Sequence, residues 1–327
     1  MPHNFAAVSR DEAFGSREPT GPAVETGGTR ALRSGTRGID GRADAPPVTT
    51  GGPLPSGFAA ASLRPCRRVA RLHLFEFEDQ QWCPALLRNA ITGYLRLAVA
   101  VTQQIRPVVP ALAGFLRSTG ESSILDLCSG SGGIASQLAR GLARRGQQTR
   151  IVLSDLYPDT ASFGDIADAS GGMVEFRSAP LDATAVPAEL PGLRTVFNAF
   201  HHFRPREARR VLAAAAESGR PIAVIEFIER GIIPLSGILF SPILVLFLAP
   251  FLRPFRWQAL LFIYVVPIVP LMILWDGLVS WLRVYSLDEL RAMAASVAVP
   301  GYAGEAGHWR AGPVRVTYLL GRKVGAP

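Results

Sequence analysis

The stretch Ile124-Leu-Asp-Leu-Cys-Ser-Gly-Ser-Gly-Gly133 decides how the rest of the chain reads. Residues 124–127 have strand character, a run of small residues follows, and a helical pattern covers residues 134–143. A buried parallel strand feeding a glycine turn and then a helix is how an open α/β sheet builds a nucleotide site. Glycine at 130 and 132 lets the backbone approach a ligand closely, and the helix start offers unpaired N–H groups. Two cofactor classes use such turns. Read from Gly130, the letters satisfy the dinucleotide pattern G-x-G-x-x-A over Gly130, Gly132 and Ala135, alone a weak signal. One step back, Asp126 ends the strand. A carboxylate there repels a pyrophosphate and suits a cationic ligand.

Asp126, Cys128, Gly130 and Gly132 spell D-x-C-x-G-x-G. This resembles the first motif of class I S-adenosylmethionine (SAM) methyltransferases, D/E-x-G-x-G-x-G, with Cys128 in place of the first glycine. The resemblance continues along the chain. Residues 150–155 read as a second strand ending in Asp155, the position that bonds the ribose hydroxyls in that family. Residues 174–183 read as a third strand and a turn, where Asp182-Ala183 resembles the pair that contacts the adenine. The resemblance implies a SAM-binding set of Asp126, Cys128, Ser129, Gly130, Gly132, Asp155, Leu156, Asp182, Ala183 and Asn198. No metal is expected.

The fourth strand, residues 195–200, leads into His201-His202-Phe203. Family position four lies close to the transferred methyl, so His201 and His202 are candidate catalytic bases, with packing beneath the cofactor as the other reading. Asn198-Ala199-Phe200-His201 does not match the N/D-P-P-Y/F box of amino-directed DNA methyltransferases. The Pro-Cys nucleophile of cytosine-C5 enzymes has no counterpart after this strand, since Pro65-Cys66 lies far upstream. No nucleic acid substrate is expected.

At 327 residues, the chain has room for one large domain with extensions. Hydrophobic residues make up 48% and charged residues only 18%, so part of the chain should meet lipid or a deep core. The net charge of +8 suits an anionic membrane or nucleic acid and does not separate them. Three cysteines without paired or metal-like spacing point to a reducing compartment.

The domain plan follows from composition and period. Residues 1–66 are rich in Gly, Pro, Thr and Arg without apolar periodicity, and read as a disordered tail. Residues 67–120 read as an N-terminal helical cap or lid, with helices over 85–106 and, past Pro107 and Pro110, over 111–117. Its aromatic–acid run (Phe75, Glu76, Phe77, Glu78, Asp79, Trp82) reads as the anchored start of an amphipathic helix, or as a substrate lid. Residues 121–230 are the α/β core. Residues 231–282 form a hydrophobic insertion after strand five, and residues 283–327 return to the core with Ser286 as a helix cap and two closing strands.

Neither residues 231–252 nor residues 257–275 contain a charge. Each run is about long enough to enter or cross a bilayer. Five prolines and the intervening Arg253 and Arg256 favour a re-entrant or interfacial insertion over a spanning hairpin. Trp257, Trp275 and Trp281 would mark the interface, and Asp276 and Arg283 the return to water. The expectation is an α/β, Rossmann-like class I methyltransferase sheet with helices on both faces. It would act with SAM on a lipophilic small molecule or lipid, on the cytoplasmic face of a cytoplasmic membrane. The alternatives are a membrane-anchored SAM-binding protein without turnover and a nicotinamide-dependent oxidoreductase.

Overall fold

The computed structural model describes residues 71–80, 82–252, 256–312 and 314–324. The tail expected over residues 1–66 lies outside the described residues.

Residues 71–79 form no helix, contrary to the amphipathic start expected there. They run beside a later apolar helix, and the aromatics pack on it: Phe75 lies 5.4 Å from Trp275, and Phe77 sits edge-on to Phe75. Helix α1 (Ala85–Val101) and α2 (Ile105–Thr119) follow. The break falls at residues 102–104, where Gln103 adopts φ +54, and not at the prolines. Pro107 sits in the first turn of α2, where an N–H has no helical partner in any case. Gly120, at φ +71, closes α2 in the left-handed conformation that glycine accepts without a Cβ clash.

The sheet is built from β1 (Ser123–Leu127), β2 (Arg150–Leu153), β3 (Val174–Phe176), β4 (Leu193–Phe197), β5 (Ile222–Glu226), β6 (Tyr302–Ala311) and β7 (Val314–Lys323). Its order is β3-β2-β1-β4-β5-β7-β6. The first five strands are parallel, and β7 lies antiparallel between β5 and β6. All five residues of β1 and all five of β5 are buried, as strands covered on both faces require. Strand order reverses between β1 and β4, and ligands of open α/β sheets bind outside the carboxyl ends at such a point. This is a Rossmann-like sheet, and its strand order and antiparallel seventh strand are those that the class I methyltransferase resemblance implies.

Helices cover both faces. On one, α2 and α3 (Ala135–Ala143) bury Val108, Leu112, Leu116, Leu138 and Leu142, joined by Phe163 of α4 (Thr160–Asp168). On the other, Val211 and Leu212 of α5 (Pro205–Glu217) meet Leu290 and Met293 of a late helix. α2 therefore belongs to the sheet's own layer. α1 packs elsewhere: Ala90, Ile91 and Tyr94 share a separate cluster with the apolar insertion.

The insertion begins with α6 (Ile232–Leu248), which runs into a 3-10 turn at Ala249–Phe251. Neither Pro234 nor Pro242 breaks it. α7 (Trp257–Leu260) continues as a π-helical turn over Leu261–Val265. A bend of 79° then precedes α8 (Ile268–Arg283). α6 and α8 pack together, so closely that a Cβ added at Gly277 would stand 3.0 Å from Ile238. α9 (Leu287–Ser296) returns to the sheet. Its start is the expected capping box: the Ser286 hydroxyl accepts from the Glu289 N–H, and the Glu289 carboxylate accepts from the Ser286 N–H.

Candidate active site

The turn after β1 is held from below. Asp126, only 7% exposed, accepts from Ser129 Oγ and from Thr195 Oγ1, each at 2.7 Å. Burial pushes its carboxyl up to about 7, although both hydroxyls favour the anion. With both oxygens engaged inside the fold, Asp126 braces the turn and does not face a ligand directly. Cys128, at φ +58, shows why the family motif has glycine there, since a side chain in the left-handed region is strained. Gly132, at φ +82, would be strained by any side chain, and an added Cβ would stand 2.2 Å from Ile166 Cδ1, which would have to move.

The cleft side is open. An added Cβ at Gly130 or Gly133 would meet nothing within 4 Å. Asp155 lies just past β2, with Oδ2 accepting from the Gly130 N–H at 2.8 Å and Oδ1 from the Tyr157 N–H at 2.9 Å. The loop after β3 passes beside it, the Leu181 N–H bonding the Asp155 carbonyl. Asp182 is exposed on this loop and accepts from the Thr184 N–H. Ala183 is buried next to it, while Leu156 is 45% exposed. Burial and then Asp155, Asp126 and Asp182 together push the Cys128 thiol far up, so all three carboxylates converge on this turn.

That donor set separates the two cofactor readings. The N–H groups of Ser129, Gly130 and Gly132 are already spent on the Ser154 carbonyl, the Asp155 carboxylate and the Ser129 carbonyl. The carboxylates of Asp155 and Asp182 beside the turn give a negative field that repels a pyrophosphate. A cationic ligand carrying a ribose diol fits.

At the end of β4, Asn198 takes φ +48, which asparagine accepts more readily than most residues. Its Oδ1 accepts from the Phe227 N–H at 3.2 Å, tying β4 to β5. A 3-10 turn over Phe200–His202 then presents both histidines, with ring centroids 4.3 Å apart. His201 is 1% exposed, and its Nδ1 lies 2.8 Å from Glu226 Oε2, while its N–H bonds Glu226 Oε1. Its Nε2 is buried and has no hydrogen-bond partner among the described residues. His202 Nδ1 is 2.8 Å from Asp79 Oδ1 and 3.5 Å from Glu76 Oε2. Burial works against its cation, but Glu76 and Asp79 prevail and lift it to about 9. His202 is thus protonated at neutral pH and cannot accept a proton there. His201 Nε2, by contrast, has no partner among the described residues.

The segment before α1 completes this wall, and sequence reading missed its role. Asp276 and Arg283, expected to mark the return to water, are 4% and 3% exposed. Asp276 accepts from the N–H groups of Phe77 and Glu78. Arg283 bonds the Leu74 carbonyl and pairs with Asp79 at 2.8 Å and with Glu76 at 3.3 Å. They are buried because the carboxylates and N–H groups of residues 74–79 meet them across the fold. The signal available in the sequence was the density of acids in Glu76, Glu78 and Asp79, too many for a simple apolar anchor.

No protein-family model and no curated protein matches the sequence. Among solved structures, the chain is similar to an O-methyltransferase family protein from Burkholderia thailandensis, at 18% identity over 71% of this chain and 59% of that one, with TM-score 0.42. It is also similar to human N-acetylserotonin methyltransferase in complex with SAM, at 14% identity, 73% and 56% coverage and TM-score 0.44. A third is magnesium protoporphyrin IX methyltransferase from Synechocystis with bound S-adenosylhomocysteine, at 14% identity, 69% and 85% coverage and TM-score 0.37. The match thus spans about three fifths of the Burkholderia protein's length. At this distance the assignment of the fold rests on the strand order and register of the sheet itself.

Proposed function

We propose that this chain transfers the methyl group of SAM to a lipophilic acceptor held at a membrane. One observation carries the cofactor half: Asp126 braces the glycine turn through Ser129, Asp155 accepts from its Gly130 N–H, and the loop that carries Asp182 is bonded to Asp155. Asp155 would take the ribose hydroxyls. Asp182, Ala183 and Leu156 would flank the adenine, while Cys128, Ser129, Gly130, Gly132 and Asn198 would line the methionine side. Asp126 would act through Ser129. In the reaction the sulfonium S–CH3 bond breaks and its electron pair stays on sulfur. The acceptor supplies the pair for the new bond and releases its proton to water. Catalysis comes chiefly from aligning nucleophile, methyl carbon and sulfur.

The acceptor half is supported by the insertion. Residues 232–251 form a 20-residue apolar run of mean hydropathy 2.4, of which only 17% is buried. Phe247, Phe251, Trp257 and Val265 are each at least 65% exposed. Soluble monomers rarely leave so large a contiguous apolar face to water. A bilayer is the cover we assign, because residues 231–252 and 257–275 hold no charge at all. The chain's net charge of +8 suits the anionic cytoplasmic leaflet. α8 of the insertion abuts the histidine turn, so an acceptor dissolved in lipid would reach the cleft along it.

The test is methyl-labelled SAM added to the purified chain with a membrane lipid extract. Label in the organic phase, dependent on Asp155, is the expected result. SAM binding without labelling of any extract would leave a binding protein without turnover. Absence of SAM binding would remove the assignment.

A further inference from the structure

We propose that Glu76, His201 and His202 form a binding site for a divalent transition-metal ion of zinc's class, with His201 ligating through Nε2. The ring nitrogens of the two histidines and a carboxylate oxygen of Glu76 lie within 4.8 Å of one another. Donors around a bound zinc ion stand about 3.4 Å apart, a change that side-chain rotation supplies. Two histidines and one glutamate are a ligand set that zinc uses where one position stays open.

The outer contacts fit this assignment. A ligating histidine almost always gives its other ring N–H to a carboxylate, which fixes the tautomer and aims the lone pair. Glu226 does so for His201 at 2.8 Å, and Nε2 is left buried without a partner among the described residues. Glu76 Oε1 accepts from Ser280 Oγ and pairs with Arg283, so Oε2, whose contact with His202 is 3.5 Å, is the freer oxygen. Asp79 holds His202 from the side. Around this point stand the carboxylates of Glu76, Asp79, Glu226 and Asp276, and the guanidiniums of Arg71 and Arg283. Arg283 Nη1 also lies 3.2 Å from His202 Nδ1, so a divalent cation would bind by displacing the His202 proton, which leaves these four carboxylates facing the two guanidiniums.

Burial decides between an ion and a direct general base. His201 is 1% exposed, so a lipid-sized acceptor cannot bring its hydroxyl to Nε2 in this conformation, whereas an ion shared with the His202 side chain, 27% exposed, would stand nearer the surface. Bound there, the ion would lower the pKa of an acceptor hydroxyl entering the open position, and the proton would pass to water. This chemical role rests on the methyl-transfer reading. The existence of the site does not.

The experiment uses the full chain in detergent, equilibrated with micromolar ZnCl2, freed of excess and assayed by elemental analysis, with SAM affinity measured on the same sample. About one zinc per chain is expected, falling at least tenfold in affinity for Glu76→Gln and His201→Gln. Glu226→Gln should weaken binding about 10–100-fold as an outer partner. Should those variants misfold, cobalt added to the parent chain must develop the absorption of a histidine-ligated ion. Less than a tenth of a zinc per chain, or a cobalt spectrum unchanged from that in buffer, overturns the proposal. Zinc bound by a chain that takes no SAM upholds the site and removes the methyl-transfer reading instead.

Discussion

Arg283 donates from Nη1 to Asp79 Oδ2 at 2.8 Å, joining the last turn of α8 to the segment before α1 across 204 positions of sequence. The same nitrogen lies 3.3 Å from Glu76, and the guanidinium also bonds the Leu74 carbonyl. The end of the apolar insertion is therefore fastened to the segment that holds His202.

Breaking this pair should be costly. Arg283→Leu would leave Glu76, 1% exposed, without its cation, and removing one partner of a buried pair typically costs about 3–5 kcal/mol. Denaturant unfolding in detergent measures it. A loss under about 1 kcal/mol would mean that Ser280 and His202 suffice to hold the carboxylate.

Asp155 should govern cofactor affinity. Asp155→Ala removes the acceptor proposed for the ribose hydroxyls and frees the Gly130 N–H. The expected loss in SAM affinity is about 1–3 kcal/mol by calorimetry. Unchanged affinity would exclude a role for this carboxylate in binding.

Asp126 should make stability depend on pH. Its folded carboxyl, at about 7, lies above the ~3.9 of an unfolded aspartate, so the native state holds the proton longer. That contribution to stability is complete below about pH 4 and is lost as pH rises toward 7. Asp126→Asn keeps the shape without the titration. Its stability relative to the parent should therefore rise across that window, by up to about 4 kcal/mol. Denaturation curves at pH 4.5 and 7.5 that differ equally between the two proteins would refute this.

Cys128 should resist thiol reagents despite lying at the cleft. Burial and three nearby carboxylates disfavour its thiolate, the reactive form. Mass spectrometry after iodoacetamide at pH 8 should find this peptide far less alkylated than a free cysteine peptide in the same tube. Rapid labelling would mean that the turn opens in solution.

The insertion should hold the protein on lipid. Phe247 and Val265 are 73% and 70% exposed, and an Asp at the centre of a bilayer-embedded helix costs about 2.5–3.5 kcal/mol. Phe247→Asp with Val265→Asp should abolish flotation with anionic vesicles in high salt, where the parent floats. A parent that is a monodisperse, vesicle-free dimer without detergent would show that a second copy covers this face.

The α/β sheet was legible from residues 124–133 because strand, glycine turn and helix are local features, written in consecutive residues. The positions of Asp155 and Ser286 were legible for the same reason, each standing at the end of one element, whereas Asp182 lies in the loop beyond β3 and not at its end. The charge-free runs of the insertion were visible too, since the absence of charge is a matter of composition. Tertiary structure alone decided what the acids do. Asp126 turned inward because Thr195, from a strand 69 positions away, completes its shell. Asp276 and Arg283 are buried because their partners lie about 200 positions upstream. His201 and His202 are adjacent in sequence and alike in chemistry, and only the fold places Glu226 beside one ring and Asp79 beside the other. A charge is stabilised by whatever stands within a few ångströms of it, and sequence order carries no such distance.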